Sequence, residues 1–300
     1  MVIVDAHCHI WEKKHQGSVF IKDFQSLAKM RGWDLELMMD GTANRLICEM
    51  DEAGIDQAVV LALDTEFMTT DGATAKEYND YVAQQLRAYP DRFIGFCGID
   101  PRRGKGAIRE LERCVGDHGF RGVKLWPLTG FYPDDPAFYS FYERVEEMGI
   151  PILCHTGRGS TSTYLKYNRP VYVDTIAVDF PHIPIIMAHI GIPWTQEAFT
   201  VAGKNPNVYV DLSSVQPLFK QAPVSFFQTL SEAKMTCGVE KILFGSDWPI
   251  FTPLCPQREW VEAIQTMALP PPLQAMGFQE FTEAEKRLIL GGNAKKALGI

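Results

Sequence analysis

The chain has 300 residues, of which 46% are hydrophobic and 22% are charged, and its formal net charge is -8 at pH 7. A chain of this size can bury one large core, and α/β barrels of about 250 residues or more form as one unit. The acidic balance argues against nucleic acid or an anionic membrane as a partner, so we expect neither.

The first ten residues, MVIVDAHCHI, lack the basic segment and the long apolar run of a secretory signal. The seven cysteines are odd in number and include no CxxC pair, and several lie in apolar runs, which indicates buried reduced thiols. We therefore expect a cytoplasmic protein that does not cross a membrane.

Short β-branched or apolar runs alternate with amphipathic segments along the whole chain. The predicted strands are Val2–Ala6, Gln57–Ala62, Phe93–Ile99, Gly122–Leu125, Ile152–His155, Ile185–His189, Val208–Leu212 and Ile242–Gly245. The predicted helices are Asn44–Ala53, Ala75–Tyr89, Ala107–Gly116, Pro136–Met148, Thr195–Ala202, Val224–Cys237 and Gln257–Met267. Eight strands that alternate with helices predict an α/β fold, a (β/α)8 TIM-type barrel, in which residues 1–300 form one domain. A doubly wound open sheet is the structural alternative.

Three segments depart from this alternation. Glu12–Gly41 after the first strand and Arg158–Val171 after the fifth are longer than usual βα loops, and we expect both to be lid insertions over the active rim. The tail Thr282–Ile300 predicts a helix, a break at Gly291–Gly292–Asn293 and a final helix.

Five of the predicted strands lead into residues that can hold or serve a metal ion. These residues are His7, His9, Lys124, His155, His189 and Asp247. A parallel barrel brings the carboxyl ends of all its strands to one rim, so residues that are distant in sequence become neighbours there. Alternation along a strand places His7 and His9 on the same face. The pattern therefore predicts a metal site. The remaining histidines are expected to be ordinary surface residues: His15, His118 and His182.

The sequence resembles the amidohydrolase superfamily, and most closely its amidohydrolase-2 branch, which includes aminocarboxymuconate-semialdehyde decarboxylase, γ-resorcylate decarboxylase and several hydrolases and hydratases. The matching motifs are VDAHCH, GFRGVKLWP followed by FYPDDPAFY, PILCHTG, IIMAHIG, ILFGSDWP and GGNAKKALGI. They occur in the order of the family over nearly the whole chain. The resemblance is specific for the fold and the site, and much less specific for the reaction.

The resemblance implies that a divalent metal is held by four residues, His7, His9, His155 and Asp247. Zn²⁺ is the expected ion and Mn²⁺ the alternative. Nitrogen and carboxylate ligands leave a position on zinc open for a water, whose pKa falls to about 7. The resemblance also implies that His189 stands beside this water. Because Asp247 can touch the metal and accept a proton, we expect Asp247 and His189 to be the catalytic residues.

Lys124 has three interpretations. A lysine in a KLxP context resembles the dihydroorotase-type members of the superfamily, in which a carboxylated lysine bridges two metals. A free Lys124 amine could instead pair with a substrate carboxylate, or the residue could be a barrel lysine without a role. We expect one ion, because FGSDWP, AHIG and the C-terminal motif resemble the mononuclear branch. Two ions would follow if Lys124 is carboxylated.

Arginine and aromatic residues after the strand ends are candidates for substrate contact. Arg158 lies three residues after His155 and is predicted to bind a substrate carboxylate. Arg102 and Arg103 are expected to face solvent or to shape their loop. Five aromatic residues could wall a planar substrate: Trp11, Trp126, Phe131, Trp248 and Phe251.

Three further polar residues lie close to the predicted ligands in sequence. We interpret Asp5 as a structural neighbour of His7. Asp211 and Ser213 follow the seventh strand as candidate site residues without an assigned role.

These residues are compatible with three reactions. We expect a metal-dependent hydrolase, in which metal-activated water attacks a lactone or amide-type bond of a small carboxylated substrate. The alternatives are a non-oxidative decarboxylase of an aromatic or enoic acid and, second, a hydratase. A catalytically silent metal protein is disfavoured, because structural zinc sites usually close with four protein ligands and many cysteines. A homodimer is compatible with the branch.

Overall fold

Eight parallel strands form the centre of the molecule in the computed structural model, which describes residues 2–300. The strands are β1 (Val4–His9), β2 (Gln57–Leu61), β3 (Phe93–Gly98), β4 (Gly122–Leu125), β5 (Ile152–Cys154), β6 (Ile185–Met187), β7 (Val208–Asp211) and β8 (Ile242–Leu243). Each strand pairs with the next one in sequence. The Ala6 N–H donates to the Phe244 carbonyl at 2.9 Å, so the chain after β8 closes the sheet against β1. The predicted (β/α)8 barrel is confirmed, and the open sheet is excluded.

Helices follow the strands and cover the barrel. They are α1 (Ser18–Arg31), α2 (Leu35–Met39), α3 (Ala43–Ala53), α4 (Ala75–Ala88), α5 (Lys105–His118), α6 (Tyr139–Glu147), α7 (Val171–Asp179), α8 (Thr195–Lys204), α9 (Gln216–Gln221), α10 (Pro223–Cys237), α11 (Gln257–Gln265), α12 (Pro271–Ala275), α13 (Glu283–Arg287) and α14 (Asn293–Leu298). Local sequence explains several ends. A capping box formed by Thr74 and Glu77 begins α4, and Gly54 in the left-handed region ends α3.

The barrel interior is filled by apolar side chains from the strands, such as Val59, Phe96 and Ile186. The C-terminal helix α14 adds Ala294 and Leu298 to the same cluster. This packing closes the interior, so the polar groups that begin at His7 lie beyond it toward the carboxyl ends of the strands.

The expected break in the tail is a continuous helical path. A π-helical turn, Leu288–Gly292, joins α13 to α14, and both Gly292 and Asn293 have helical dihedral angles. Gly291 packs its backbone against the carbonyl of Val2, where a side chain would collide. The glycines therefore permit close packing against the chain before β1 and do not terminate the helix.

The two insertions meet each other over the barrel. The first contains α1 and α2, and the second contains a 3-10 turn at Leu165–Tyr167. Asp23 on α1 accepts hydrogen bonds from the Thr161 hydroxyl at 2.7 Å and from the Ser162 hydroxyl at 2.6 Å. Both insertions border the cavity described below, as predicted for lids.

Two expectations about exposure were wrong. His15 is buried rather than on the surface: its Nδ1 accepts the Glu12 N–H at 2.9 Å, and its ring stacks on Tyr78. Cys48 on α3 is exposed, whereas the other six cysteines are buried.

None of the helices within residues 2–300 combines the length and the hydropathy that a bilayer span requires.

Candidate metal centre and active site

Three of the four predicted ligands form a compact group at the barrel rim. The Nε2 atoms of His7 and His9 lie 3.5 Å and 3.4 Å from Oδ1 of Asp247. Bonds of about 2.1 Å in a tetrahedral arrangement place neighbouring ligand atoms about 3.4 Å apart. The spacing of this group therefore fits one divalent cation. All three residues are buried, so the cation would be shielded from bulk solvent.

The backbone holds Asp247 in an unusual conformation. Its φ angle is 56°, in the left-handed region that costs a non-glycine residue free energy. Its N–H donates to the His7 carbonyl at 2.8 Å, which ties it directly to β1. The buried Asp5 carboxylate accepts the N–H of the preceding Ser246 at 3.0 Å. Asp5 thus supports the segment that carries Asp247, in keeping with its interpretation as a structural neighbour.

The remaining two histidines face each other beside this group. His155 Nδ1 and His189 Nε2 are 3.2 Å apart. His155 Nε2 donates to the carbonyl of Arg158 at 2.7 Å, which leaves the Nδ1 lone pair of His155 directed toward the site. His155 thus lies beside the cluster of His7, His9 and Asp247, but its ring nitrogen does not lie within 4.8 Å of all three ligand atoms.

Burial shifts the pKa values of these groups toward the forms that bind metals. Desolvation lowers the pKa of His7 and of His155 well below the ordinary value, with additional repulsion from Lys124 and His189 respectively. Desolvation also lowers the pKa values of His9 and His189. Burial alone would raise the pKa of Asp247, but the neighbouring histidines outweigh it and hold the pKa below its usual range. Neutral imidazoles and an ionised carboxylate are the required ligand states.

Lys124 at the end of β4 points into the same group. Its side chain is 1% exposed, and its Nζ lies 3.4 Å from Nε2 of His7. Burial lowers its pKa to about 8, against the opposing attraction of Asp211 and Asp247. The amine therefore has direct access to the position where a cation or the substrate would bind.

A cavity of about 330 Å³ opens above these residues. His9, Lys124, His155, His189 and Asp247 lie among its lining residues. This volume lies in the range of small-molecule sites, and apolar side chains dominate the wall. The arrangement combines a polar floor with a largely apolar wall.

The predicted substrate contacts are divided between the cavity and the protein interior. Arg158, Trp126 and Phe251 line the cavity. Trp11 and Trp248 lie outside the lining, and we correct their prediction: the indole of Trp11 donates to the Met39 carbonyl at 2.7 Å, and that of Trp248 donates to Glu49 at 2.8 Å.

The other predicted contacts have structural surroundings. Phe131 packs edge-on against Phe138, with the ring centroids 5.7 Å apart, and it is not among the residues that line the cavity. Arg102 binds the buried carboxylate of Asp100 at 2.6 Å, and Arg103 bridges two acidic residues. Both arginines therefore shape their loop, which was one of the two expectations for them.

Much of the cavity wall was not identified from the sequence. The first insertion contributes seven lining residues that were not named as candidates: Phe20, Asp23, Phe24, Leu27, Met30, Arg31 and Trp33. The aromatic residues of α1 recur about four positions apart, which was the available signal. It did not reveal whether that face of the helix covers the barrel or an adjacent helix.

The structure also gives Asp211 and Ser213 contacts within the site. Asp211 Oδ2 accepts from His7 Nδ1 at 2.8 Å, and the Ser213 hydroxyl lies 2.7 Å from His189 Nδ1. Both are fully buried. Their position after β7 was the sequence signal, but their partners depend on the distance across the barrel.

A family model for amidohydrolases, Amidohydro_2, matches residues 4–300. The chain belongs to this family. This result confirms the resemblance inferred from the motifs and places the protein in a superfamily of enzymes.

Relatives in this family indicate a different reaction from the one expected. The chain is 26% identical over 269 residues to γ-resorcylate decarboxylase of Polaromonas sp., covering 73% of this chain and 80% of the relative. It is 23% identical to 2-amino-3-carboxymuconate-6-semialdehyde decarboxylase of Dictyostelium discoideum, covering 100% and 85%. The expectation of hydrolysis as the main reaction was wrong, because these relatives are decarboxylases.

A solved structure shows the same fold. Dihydroxybenzoic acid decarboxylase from Polaromonas sp., which contains bound manganese and the inhibitor 2-nitroresorcinol, superimposes with a TM-score of 0.68 at 20% identity. The alignment covers 99% of this chain and 97% of the other. Its similarity supports the barrel architecture over the full described length.

Proposed function

We propose that this protein is a metal-dependent, non-oxidative decarboxylase of a small aromatic or enoic carboxylic acid. The observation that carries this proposal is the family match over residues 4–300 together with decarboxylase relatives that cover 73% and 100% of the chain. The cavity supports it, because a largely apolar wall disfavours the charge of a carboxylate and so favours its loss as CO2.

His7, His9 and Asp247 would hold the divalent ion, with the Nδ1 atom of His155 as the fourth donor. The bound ion would supply positive charge that attracts and orients the substrate's carboxylate or an adjacent oxygen. Three imidazoles and one carboxylate suit both Zn²⁺ and Mn²⁺. Mn²⁺ gains support from the bound manganese in the Polaromonas decarboxylase.

The chain's own acid–base groups would supply the proton. Decarboxylation breaks the bond between the ring or alkene carbon and the carboxylate, releases CO2 and leaves that carbon to take one proton. His189 lines the cavity while its Nδ1 is engaged with the Ser213 hydroxyl at 2.7 Å, so its Nε2 would take up a proton and pass it to the reacting carbon, and the Asp247 carboxylate 4.0 Å from the ring would stabilise the protonated form. Lys124 at the floor would attract an anionic oxygen of the substrate.

The walls define the shape of the proposed substrate. Phe20, Trp126 and Phe251 line the cavity and provide flat apolar surfaces for a planar ring or a conjugated chain. Arg158 lines the same cavity and would pair with an acidic group of the substrate. The proposed partner is therefore a small planar carboxylic acid.

The proposal is tested by incubating the Mn²⁺-loaded and Zn²⁺-loaded protein separately with a panel of acids and lactones in D2O. The acids include 2,6-dihydroxybenzoate, other hydroxybenzoates and enoic dicarboxylates. We expect CO2 release together with one deuterium at the carbon that carried the carboxylate, detected by NMR.

The companion variant is His189→Gln, which should keep the metal content and lose CO2 release and the deuterated product together. Lactone opening without CO2 release from any acid of the panel would contradict the proposal. Equal CO2 release by the metal-free protein would contradict the role of the metal.

A further inference from the structure

The buried carboxylate of Asp211 connects His7, a proposed metal ligand, to His189, the proposed proton donor. Asp211 at the end of β7 accepts from Nδ1 of His7 through Oδ2 at 2.8 Å. Its other oxygen, Oδ1, accepts the backbone N–H groups of His189 at 2.9 Å and Ser213 at 3.0 Å. Asp211 is 0% exposed, so water does not compete for these bonds.

Ser213 extends this connection to the ring of His189. Its hydroxyl donates to Oδ1 of Asp211. The same oxygen lies 2.7 Å from Nδ1 of His189 and 3.1 Å from Nδ1 of His7. Because a hydroxyl has one proton, and Asp211 accepts it, the oxygen can only accept from the two rings.

These bonds determine which ring nitrogen of each histidine carries the proton. An ionised carboxylate only accepts, so Nδ1 of His7 must be the protonated nitrogen, and its Nε2 lone pair faces Asp247. By the same reasoning His189 is protonated at Nδ1, since Ser213 accepts there. Its Nε2 then carries no proton and lies 3.2 Å from the unprotonated Nδ1 of His155, so the two lone pairs face each other at the cavity and a cation or a proton is needed between them.

We propose that Asp211 is a positioning residue that fixes the ring tautomers of both His7 and His189, directly for His7 and through Ser213 for His189. One carboxylate thereby sets metal affinity and the proton-transfer geometry together. This inference is independent of which reaction the protein catalyses, because it concerns the ligand and acid–base groups before any substrate binds.

The same atoms could in principle surround a second cation, since His7, His189 and Asp211 also form a group with metal-ligand spacing. Hydrogen bonds already engage these groups: Nδ1 of His7 donates to Oδ2 of Asp211 at 2.8 Å, and Nδ1 of His189 donates to the Ser213 oxygen at 2.7 Å. The geometry therefore favours hydrogen bonding over a second ion, and the experiment below distinguishes the two.

The first measurement is ¹⁵N NMR of the full, metal-free chain labelled at histidine, which reports the protonated nitrogen of each ring. The two peaks are assigned from their loss in His7→Gln and His189→Gln. We expect both rings to be protonated at Nδ1. A wild-type His7 protonated at Nε2 would overturn the proposal without any Asp211 variant.

The second measurement is Mn²⁺ affinity, from competition with a metal-binding dye. In Asp211→Asn the amide can donate to Nδ1 of His7, which moves the ring proton to Nε2 and blocks ligation. We expect Mn²⁺ binding to weaken about 10- to 100-fold, the usual effect of removing such a partner. The number of Mn²⁺ ions per chain should stay at the wild-type value.

Ser213 variants test the connection from Asp211 to His189 separately from the direct bond to His7. They remain informative if Asp211→Asn does not fold. Ser213→Ala should leave Mn²⁺ affinity unchanged but give mixed tautomers of His189, and Ser213→Thr should restore the single tautomer. Ser231→Ala is the matched control, because it removes another buried hydroxyl, on α10 and outside the cavity lining.

Unchanged tautomers of His189 in Ser213→Ala, or wild-type Mn²⁺ affinity in folded Asp211→Asn, would overturn the proposal. Loss of one of two ions in Asp211→Asn would show a second metal site instead.

Discussion

The rim of the barrel and its two insertions hold their side chains by different means. At the rim, Asp247 is fixed by a backbone bond to β1, and His7 and His189 by buried bonds to Asp211. In the insertions, α1 and the segment after β5 meet through an exposed pair of hydroxyl bonds to Asp23. This difference suggests that the rim determines the chemistry and that the insertions determine which substrate enters.

Metal removal should have the largest effect, because it acts on the rim alone. Chelation of the purified protein is expected to abolish activity, and Mn²⁺ or Zn²⁺ should restore it. Circular dichroism before and after chelation checks that the fold remains, since metal binding also couples to folding. Full activity in a preparation shown to be free of metal would contradict the assigned centre.

Asp247→Asn changes a single side-chain atom of a proposed metal ligand at the rim. The amide keeps much of the ligand shape but cannot take up a proton, so we expect turnover to fall at least about 100-fold with the fold retained. Metal content measured on the same sample separates loss of the ion from loss of proton transfer. Wild-type turnover would show that Asp247 does not act in the reaction.

The same contrast explains what the sequence could predict. His7, His9 and Asp247 were predicted as neighbours because strand ends in a parallel barrel meet at one rim, regardless of the loop conformations. The spacing of His155 and the partners of Asp211 depend on distances across the barrel, which no local pattern encodes. Side-chain direction is fixed within a strand but not beyond it.

Residues just outside the strands show this limit. Trp11 and Trp248 follow β1 and β8 closely, yet neither lines the cavity. The indole of Trp11 donates to Met39, and that of Trp248 donates to Glu49. Their direction depends on the first insertion and on α3, whose packing the sequence did not specify. The reaction was mistaken because similar sequences include proteins with different reactions, such as a decarboxylase and a hydratase, so the motifs do not specify the reaction.

Lys124 tests whether the rim holds one ion or two. We expect one Mn²⁺ per chain, retained in Lys124→Ala, with turnover about 10- to 100-fold lower, the effect of losing a hydrogen bond to a charged group. Mass spectrometry of the intact chain would detect a carboxylated lysine directly. Two ions per chain, with loss of one in the variant and rescue by a short-chain carboxylic acid, would show the bridging role instead.

Arg158 belongs to the insertion side and should affect substrate binding more than turnover. Arg158→Ala is expected to raise the Michaelis constant for acids about 10-fold or more, since it removes a charge-assisted bond. Arg109→Ala, on the exposed surface of α5 outside the cavity lining, is the matched control. An equal effect on acidic and neutral analogues would mean that Arg158 only orders its loop.

The smallest effect is expected where the insertions touch. Asp23→Ala removes the two exposed bonds to Thr161 and Ser162, and hydrogen bonds contribute about 0.5 to 1.5 kcal/mol each. The Michaelis constant should rise about 2- to 10-fold while turnover stays unchanged, because no rim residue moves. Ser26→Ala on the same helix is the control, since its hydroxyl donates to the Lys22 carbonyl within the helix. A fall in turnover comparable to that of Asp247→Asn would break the proposed division, because it would show that closure of the insertions also positions the rim.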